Sequence, residues 1–118
     1  MELLETLQEI CNGTNWEPEH EDGNTYGFRW TGGDYDGYII LSGDTISDLE
    51  DDAYVAYENF DVDEETALWI GEDGHGKNGA PYRIRDILEE FENYEKDLEN
   101  LWDNLRRARQ REEGMAQW

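Results

Sequence analysis

From residue 84 onward the apolar positions fall at Ile84, Ile87, Phe91, Tyr94, Leu98, Leu101 and Leu105, a strict three-four alternation with Leu88 and Trp102 alongside. That spacing draws a single stripe along a helix, so it predicts a helix from Tyr82 to Arg109, roughly 40 Å long at about 1.5 Å per residue. Arg106, Arg107, Arg109 and Arg111 cluster at its end, where cations suit the helix dipole. The stripe has two readings. In one it is the core face of a helix that packs beneath the rest of the domain. In the other, residues beyond about Leu98 stay uncovered and pair with a second copy or a partner helix, because a small domain need not cover so long a helix.

Leu3, Leu4, Leu7, Ile10 and Cys11 are also at helical spacing, and Asn12-Gly13 is a stop signal, so a short helix opens the chain over Glu2 to Cys11. Glu17 to Asp22 is expected to be an acidic loop. Tyr26, Phe28 and Trp30 then alternate with Gly27 and Arg29, and Gly37 to Leu41 is a second β-prone run. The glycine-rich stretch Thr31 to Gly37 between them predicts an antiparallel hairpin. Thr45 followed by Asp48 resembles a capping box, with Asp in the usual place of Glu or Gln. The helix behind it, Ile46 to Phe60, would bury Ile46, Leu49, Ala53, Ala56, Tyr57 and Phe60 and display Asp48, Glu50 to Asp52 and Glu58. Asp61 is placed to cap a further short helix with Asp63, Glu64 and Glu65 in its first turn, a strand at Thr66 to Ile70 being the competing reading. Glycines at 71, 74, 76 and 79 lead to Pro81 through a loop. The order predicts one α+β domain over residues 1–118.

Composition changes this picture mainly through charge. The 118 residues hold 31 acids and nine bases, a net charge of −22, yet 13% are aromatic, including five Trp. The aromatics argue for a folded core where charge alone would suggest disorder. Cys11 is the single cysteine, so no disulfide can form within the chain. No apolar run approaches the roughly 18 residues of a membrane span, and the first residues are acidic where a secretory signal is basic. A cytoplasmic protein with no membrane contact is the expectation. Asn12-Gly13-Thr14 matches a glycosylation acceptor but is better explained as the turn ending the first helix.

Motifs for chemistry are weak. Gly71, Gly76 and Lys77 match the spacing of a phosphate-binding P-loop, but Asn78 replaces the hydroxyl residue, Glu72 and Asp73 would sit in the cradle, and Pro81 delays any following helix. Asp61-Val62-Asp63-Glu64-Glu65-Thr66 begins like a calcium loop, yet Thr66 stands where glycine is required and Asp73 where a bidentate Glu is required. Cys11, His20 and His75 lack zinc spacing. His75 is a lone loop histidine, and no nucleophile motif is present. No enzymatic activity, cofactor or metal is implied. Direct nucleic-acid binding is disfavoured, since phosphate contacts require cations and the only basic patch is residues 106–111.

The charge is unevenly placed. Residues 30–76 carry fourteen acids and no Lys or Arg, while residues 96–118 hold five of each sign and are neutral. Self-repulsion on this scale opposes compaction, and its natural use is attraction to a strongly basic surface, of which nucleic-acid-binding grooves are the commonest. Asp34, Asp36, Asp44, Asp48, Glu50, Asp51, Asp52, Glu58, Asp61, Asp63, Glu64 and Glu65 are the candidate partner-binding residues, with Tyr35, Tyr38, Tyr54 and Tyr57 among them as possible anchors.

In size, charge and α+β layout the chain resembles the small acidic proteins of phages and mobile elements that imitate DNA, the anti-restriction and anti-CRISPR inhibitors. The order from Gly37 to Leu105 of strand, acidic helix, Asp-rich turn, Gly-Pro loop and long helix is also similar to uncharacterised proteins of bacterial mobile elements. The resemblance implies a stoichiometric inhibitor that fills the DNA or PAM-reading groove of a CRISPR effector nuclease or restriction enzyme, without turnover or cofactor. Two other readings fit the composition: an acidic adaptor or oligomerisation module that forms a homodimer through the C-terminal helix, and a halophile's protein, given two Lys against seven Arg.

Overall fold

The computed structural model describes residues 3–33, 35, 37–65 and 84–116, with the backbone alone for 84–86, 115 and 116. The elements run α1 (Leu3–Cys11), β1 (Trp16–Asp22), β2 (Thr25–Trp30), β3 (Tyr38–Ser42), α2 (Ile46–Asn59), a single helical turn α3 (62–65) and α4 (Ile84–Ala116). The three strands form one antiparallel sheet in the order β1-β2-β3. The expected α+β order is therefore the observed one. Thr66 to Ile70, the glycine loop with His75 and Lys77, and Asp34 and Asp36 lie outside the described residues.

The first two helices each begin or end on a local signal. α1 closes through Asn12 N–H to Glu9 O and Thr14 N–H to Cys11 O, and Gly13 takes φ 79°, a left-handed conformation that glycine adopts without strain. At the start of α2, Thr45 Oγ1 accepts from Asp48 N–H at 3.2 Å, and the Asp48 carboxylate reaches back to Asp44 N–H at 3.2 Å. The capping box is thus present with its return bond displaced by one residue.

The reading of the first strand is corrected. Glu17 to Asp22 is not a loop but most of strand β1. Its acids Glu17, Glu19 and Glu21 alternate with Trp16, Pro18 and His20, so one face meets the core while the carboxylates stay in water. Pairing supplies what propensity lacks: Trp16 lies opposite Trp30, and Pro18 opposite Phe28. β1 is an edge strand, where a proline removes no ladder bond that matters.

The long helix is the axis of the fold. At 33 residues it spans roughly 50 Å and continues past Arg109, the expected end, to Ala116. Its stripe is buried along its length: Ile87, Phe91, Tyr94, Leu98, Leu101, Leu105 and Ala108 are all at most 4% exposed. The sheet and α2 cover it from two sides, bringing Trp16, Phe28, Trp30 and Leu41 of the strands and Ile46, Leu49 and Ala53 of α2 into one cluster. The stripe beyond Leu98 is therefore core among the described residues, not a free seam. Cys11 lies in the same cluster, and burial pushes its thiol up to about 12.

A polar clamp fixes the sheet on this helix. The Asp97 carboxylate accepts from Trp30 Nε1 at 2.7 Å and from Asn15 Nδ2 at 3.0 Å, while its backbone carbonyl accepts from Trp16 Nε1 at 2.8 Å. Tyr94, one turn earlier, meets Trp30 edge-on at 5.1 Å and Trp16 at 5.8 Å. Two adjacent tryptophans thus bury their rings and still satisfy both indole donors, as buried Trp requires. Replacing Asp97→Ala should destabilise the fold by about 1–3 kcal/mol, because Trp30 keeps its burial but loses its acceptor. Asp97→Asn, which retains a carbonyl oxygen, should recover most of the loss in urea unfolding followed by tryptophan fluorescence.

Candidate functional site

The candidate acids sort by the helix that carries them. Asp44, Asp48, Asp51 and Asp52 are exposed around the start and first half of α2. Three are also structural: Asp44 and Asp48 share the cap, and Asp52 Oδ2 accepts Ser42 N–H from β3 at 2.9 Å. Asp61 caps α3 as expected, its Oδ1 accepting from Asp63 N–H at 3.0 Å and Glu64 N–H at 3.1 Å.

Glu50 departs from expectation. It is 7% exposed and pairs with Arg109 of α4, whose Nη2 lies 3.1 Å from Glu50 Oε1. Arg109 also holds Glu113 at 3.0 Å, and the two carboxylates raise its already high pKa. Ile46, Leu49, Glu50 and Ala53 form one helical stripe, so helical spacing itself turns Glu50 inward. It joins α2 to α4 and does not belong to the exposed acidic face. Arg106 and Arg107 instead pair within α4, both with Asp103.

At the other end of α2, a groove of about 600 Å³ opens between α2, α3 and α4. Six carboxylates line it: Glu58, Asp61, Asp63 and Glu64, with Glu92 and Glu95 from α4. Among the described residues, no base lines it. Phe60 is part of its floor, held edge-on against Tyr94 at 5.0 Å. Glu65 is half-buried beside it in sequence. Glu92 and Glu95 were not among the candidates because they lie far along the chain from the acid-rich stretch. Their signal was the heptad itself: they flank the buried stripe on the side that also carries Trp102 and Arg109.

Next along the same helix pair is an aromatic strip. Trp102 stacks on Tyr57 at 6.3 Å with rings 6° apart and meets Tyr54 at 5.0 Å, and Arg106 lies 5.6 Å from the Trp102 ring centre. The phenols of Tyr57 and Tyr54 donate to Glu99 and Glu58. Of the other two candidate tyrosines, Tyr35 packs on Phe91 at 4.8 Å, and Tyr38 donates to Glu19 at 2.9 Å on the outer sheet face.

Among the described residues, no group of three His, Cys, Asp or Glu side chains is placed to hold a metal ion, and no helix is long and apolar enough to cross a membrane. No protein-family model, no curated protein and no solved structure matches this chain.

The tyrosine pairs make the acidity of this face measurable. The hydrogen bond to Glu99, and then its charge, raise the Tyr57 pKa, and Glu58 does the same for Tyr54. A raised phenol stabilises the fold fully below the unfolded value of about 10 and loses that contribution as pH climbs through the folded value. Ultraviolet difference titration should find these phenols ionising late, and Glu99→Gln should return Tyr57 toward its ordinary range while leaving Tyr54 raised.

Proposed function

We propose that this protein is a stoichiometric inhibitor that occupies the nucleic-acid groove of a DNA-processing enzyme, presenting carboxylates where the enzyme expects phosphates. The observation that carries the reading is the groove of six carboxylates with no base among its described lining residues, built from two segments more than 25 residues apart in sequence. Folding concentrates the charge further than the sequence does, since α4 adds Glu92 and Glu95 to the acids of α2 and α3.

Shape and charge density support it. The described residues span 59 × 24 × 23 Å. A duplex of that length carries roughly 35 charges at one per about 1.7 Å, and the chain carries a net −22. A basic groove shaped for a duplex would meet a rod of comparable length with about two thirds of the charge. The binding of such surfaces is driven by long-range attraction and is weakened by salt. A CRISPR effector nuclease or a restriction enzyme is the partner class this reading names, with no turnover and no cofactor.

An acidic adaptor or oligomerisation module acting through the C-terminal helix is the second reading. The heptad stripe it would use is filled by the chain's own sheet and α2.

The test is DNA cleavage by purified restriction enzymes and guide-loaded CRISPR effectors, titrated with the protein. Inhibition should saturate near one protein per enzyme and weaken steeply between 50 and roughly 200 mM salt, as phosphate-like contacts do. Neutralising Glu58, Glu64, Glu92 and Glu95 to Gln and Asp63 to Asn should weaken inhibition by at least about tenfold, one such contact being worth more than 1.4 kcal/mol, without lowering the melting temperature. A variant that inhibits as well as the parent removes the groove from the interface.

A further inference from the structure

The two edges of the sheet are guarded unequally. β1 carries Glu17, Glu19, Glu21 and Asp22, an internal Pro18 and an irregular register between His20 and Asp22. Charges, proline and bulges are the devices that keep an edge from pairing with another chain. β3, on the opposite edge, is Tyr38-Ile39-Ile40-Leu41-Ser42, with no charge, no proline and an unbroken register. Among the described strands it is the one without a charge, in a chain with 31 acids.

The phase of the ladder shows what that edge offers. Trp30 N–H donates to Gly37 O at 2.8 Å, and Gly43 N–H donates to Asn24 O at 2.9 Å. In an antiparallel pair such bonds recur at every second residue, so residues 39 and 41 also bond β2, while the peptide groups of Tyr38, Ile40 and Ser42 point away from it. Ser42 confirms the phase, because its N–H goes to Asp52 of α2. Ile40, midway along the strand, is 58% exposed. Its partner across β2 is Gly27, where a side chain would overlap Tyr38 Oη, so Tyr38 lies over Gly27 to reach Glu19 and leaves Ile40 as the apolar end of that row.

We propose that the edge of β3, which among the described residues is open at Tyr38 and Ile40 and met by Asp52 of α2 at Ser42, accepts an extended, basic segment of a protein partner by strand addition. Ile40 N–H and C=O supply the central backbone bonds, as in other recognition by β-augmentation, and the Ile40 side chain packs against an apolar residue of the incoming strand. Charge selects the occupant. Asp52 stands at the edge itself, Asp48 and Asp51 share its helix, and Asp44 follows two residues after Ser42. The one base on the sheet, Arg29, is a strand away and lies 5.6 Å from the Tyr38 ring centre. A second copy would bring a net −22 against −22, whereas a lysine- or arginine-bearing strand brings the opposite sign. The proposal concerns a backbone edge and goes beyond the carboxylate groove, and its readout is peptide binding, so either proposal can fail without the other.

The probe is a fluorescein-labelled heptapeptide alternating lysine with valine, titrated with the full chain and followed by anisotropy. The same peptide N-methylated at every residue keeps its charge but has no backbone donors. Strand addition requires at least tenfold weaker binding of the methylated peptide. In the protein, Ile40→Pro removes an N–H that β2 does not use, so it should spare the far-ultraviolet spectrum and weaken the parent peptide at least tenfold. Should that variant unfold, the two peptides on the unaltered protein still decide. Equal binding of both peptides, or no binding of either at millimolar concentration, overturns the proposal. A concentration-dependent dimer abolished by Ile40→Pro overturns it in favour of a second copy.

Discussion

A chain with a net charge of −22 folds only if something apolar outweighs its self-repulsion, and here that is the buried stripe of α4. Ile87, Phe91, Tyr94, Leu98, Leu101 and Leu105 each contribute about 1.5–3 kcal/mol when fully buried. An exposed like-charge pair opposes folding by only a few tenths of a kcal/mol, and salt screens it further. The comparison settles which effect dominates locally: one leucine in the stripe offsets several surface repulsions. It also explains the layout. Both the sheet and α2 use the same helix as their floor, so the acids of each are turned away from it.

The few carboxylates that are not left to water act as joints. Asp97 takes the Trp30 indole, Glu50 takes Arg109, and Asp52 takes the free N–H at the end of β3. Each ties one layer to another at a point where apolar packing alone would allow sliding. The acidic character of the chain is therefore of two kinds. A minority of carboxylates fixes the relative placement of sheet, α2 and α4. The majority, including Asp63, Glu64, Glu92 and Glu95 of the groove, has no such task.

Much of this was legible before any coordinates. The three-four spacing from Ile87 to Leu105, the Asn12-Gly13 stop, the Thr45 cap and the β2-β3 hairpin are local signals whose physics does not depend on the rest of the fold. β1 was not legible because Glu17, Pro18, Glu19 and Asp22 are poor strand formers, and only pairing with β2 makes them a strand. Glu50 was misplaced for a different reason: charge argued for solvent while helical spacing argued for the core, and the partner that reconciles them, Arg109, lies 59 residues away. The groove was half visible. Glu58, Asp61, Asp63 and Glu64 belong to the acid-rich stretch, but Glu92 and Glu95 join them only through tertiary packing of α4.

Mimicry requires that this surface and duplex DNA compete for one site. The most direct measurement is displacement: a fluorescent duplex pre-bound to a target nuclease that cannot cleave it, titrated with the unlabelled protein. Competition predicts complete release of the duplex, with a midpoint that rises in proportion to added unlabelled DNA. A stable ternary complex, in which protein and duplex stay bound to the enzyme together, would contradict mimicry and leave the acidic groove as a surface for some other basic partner.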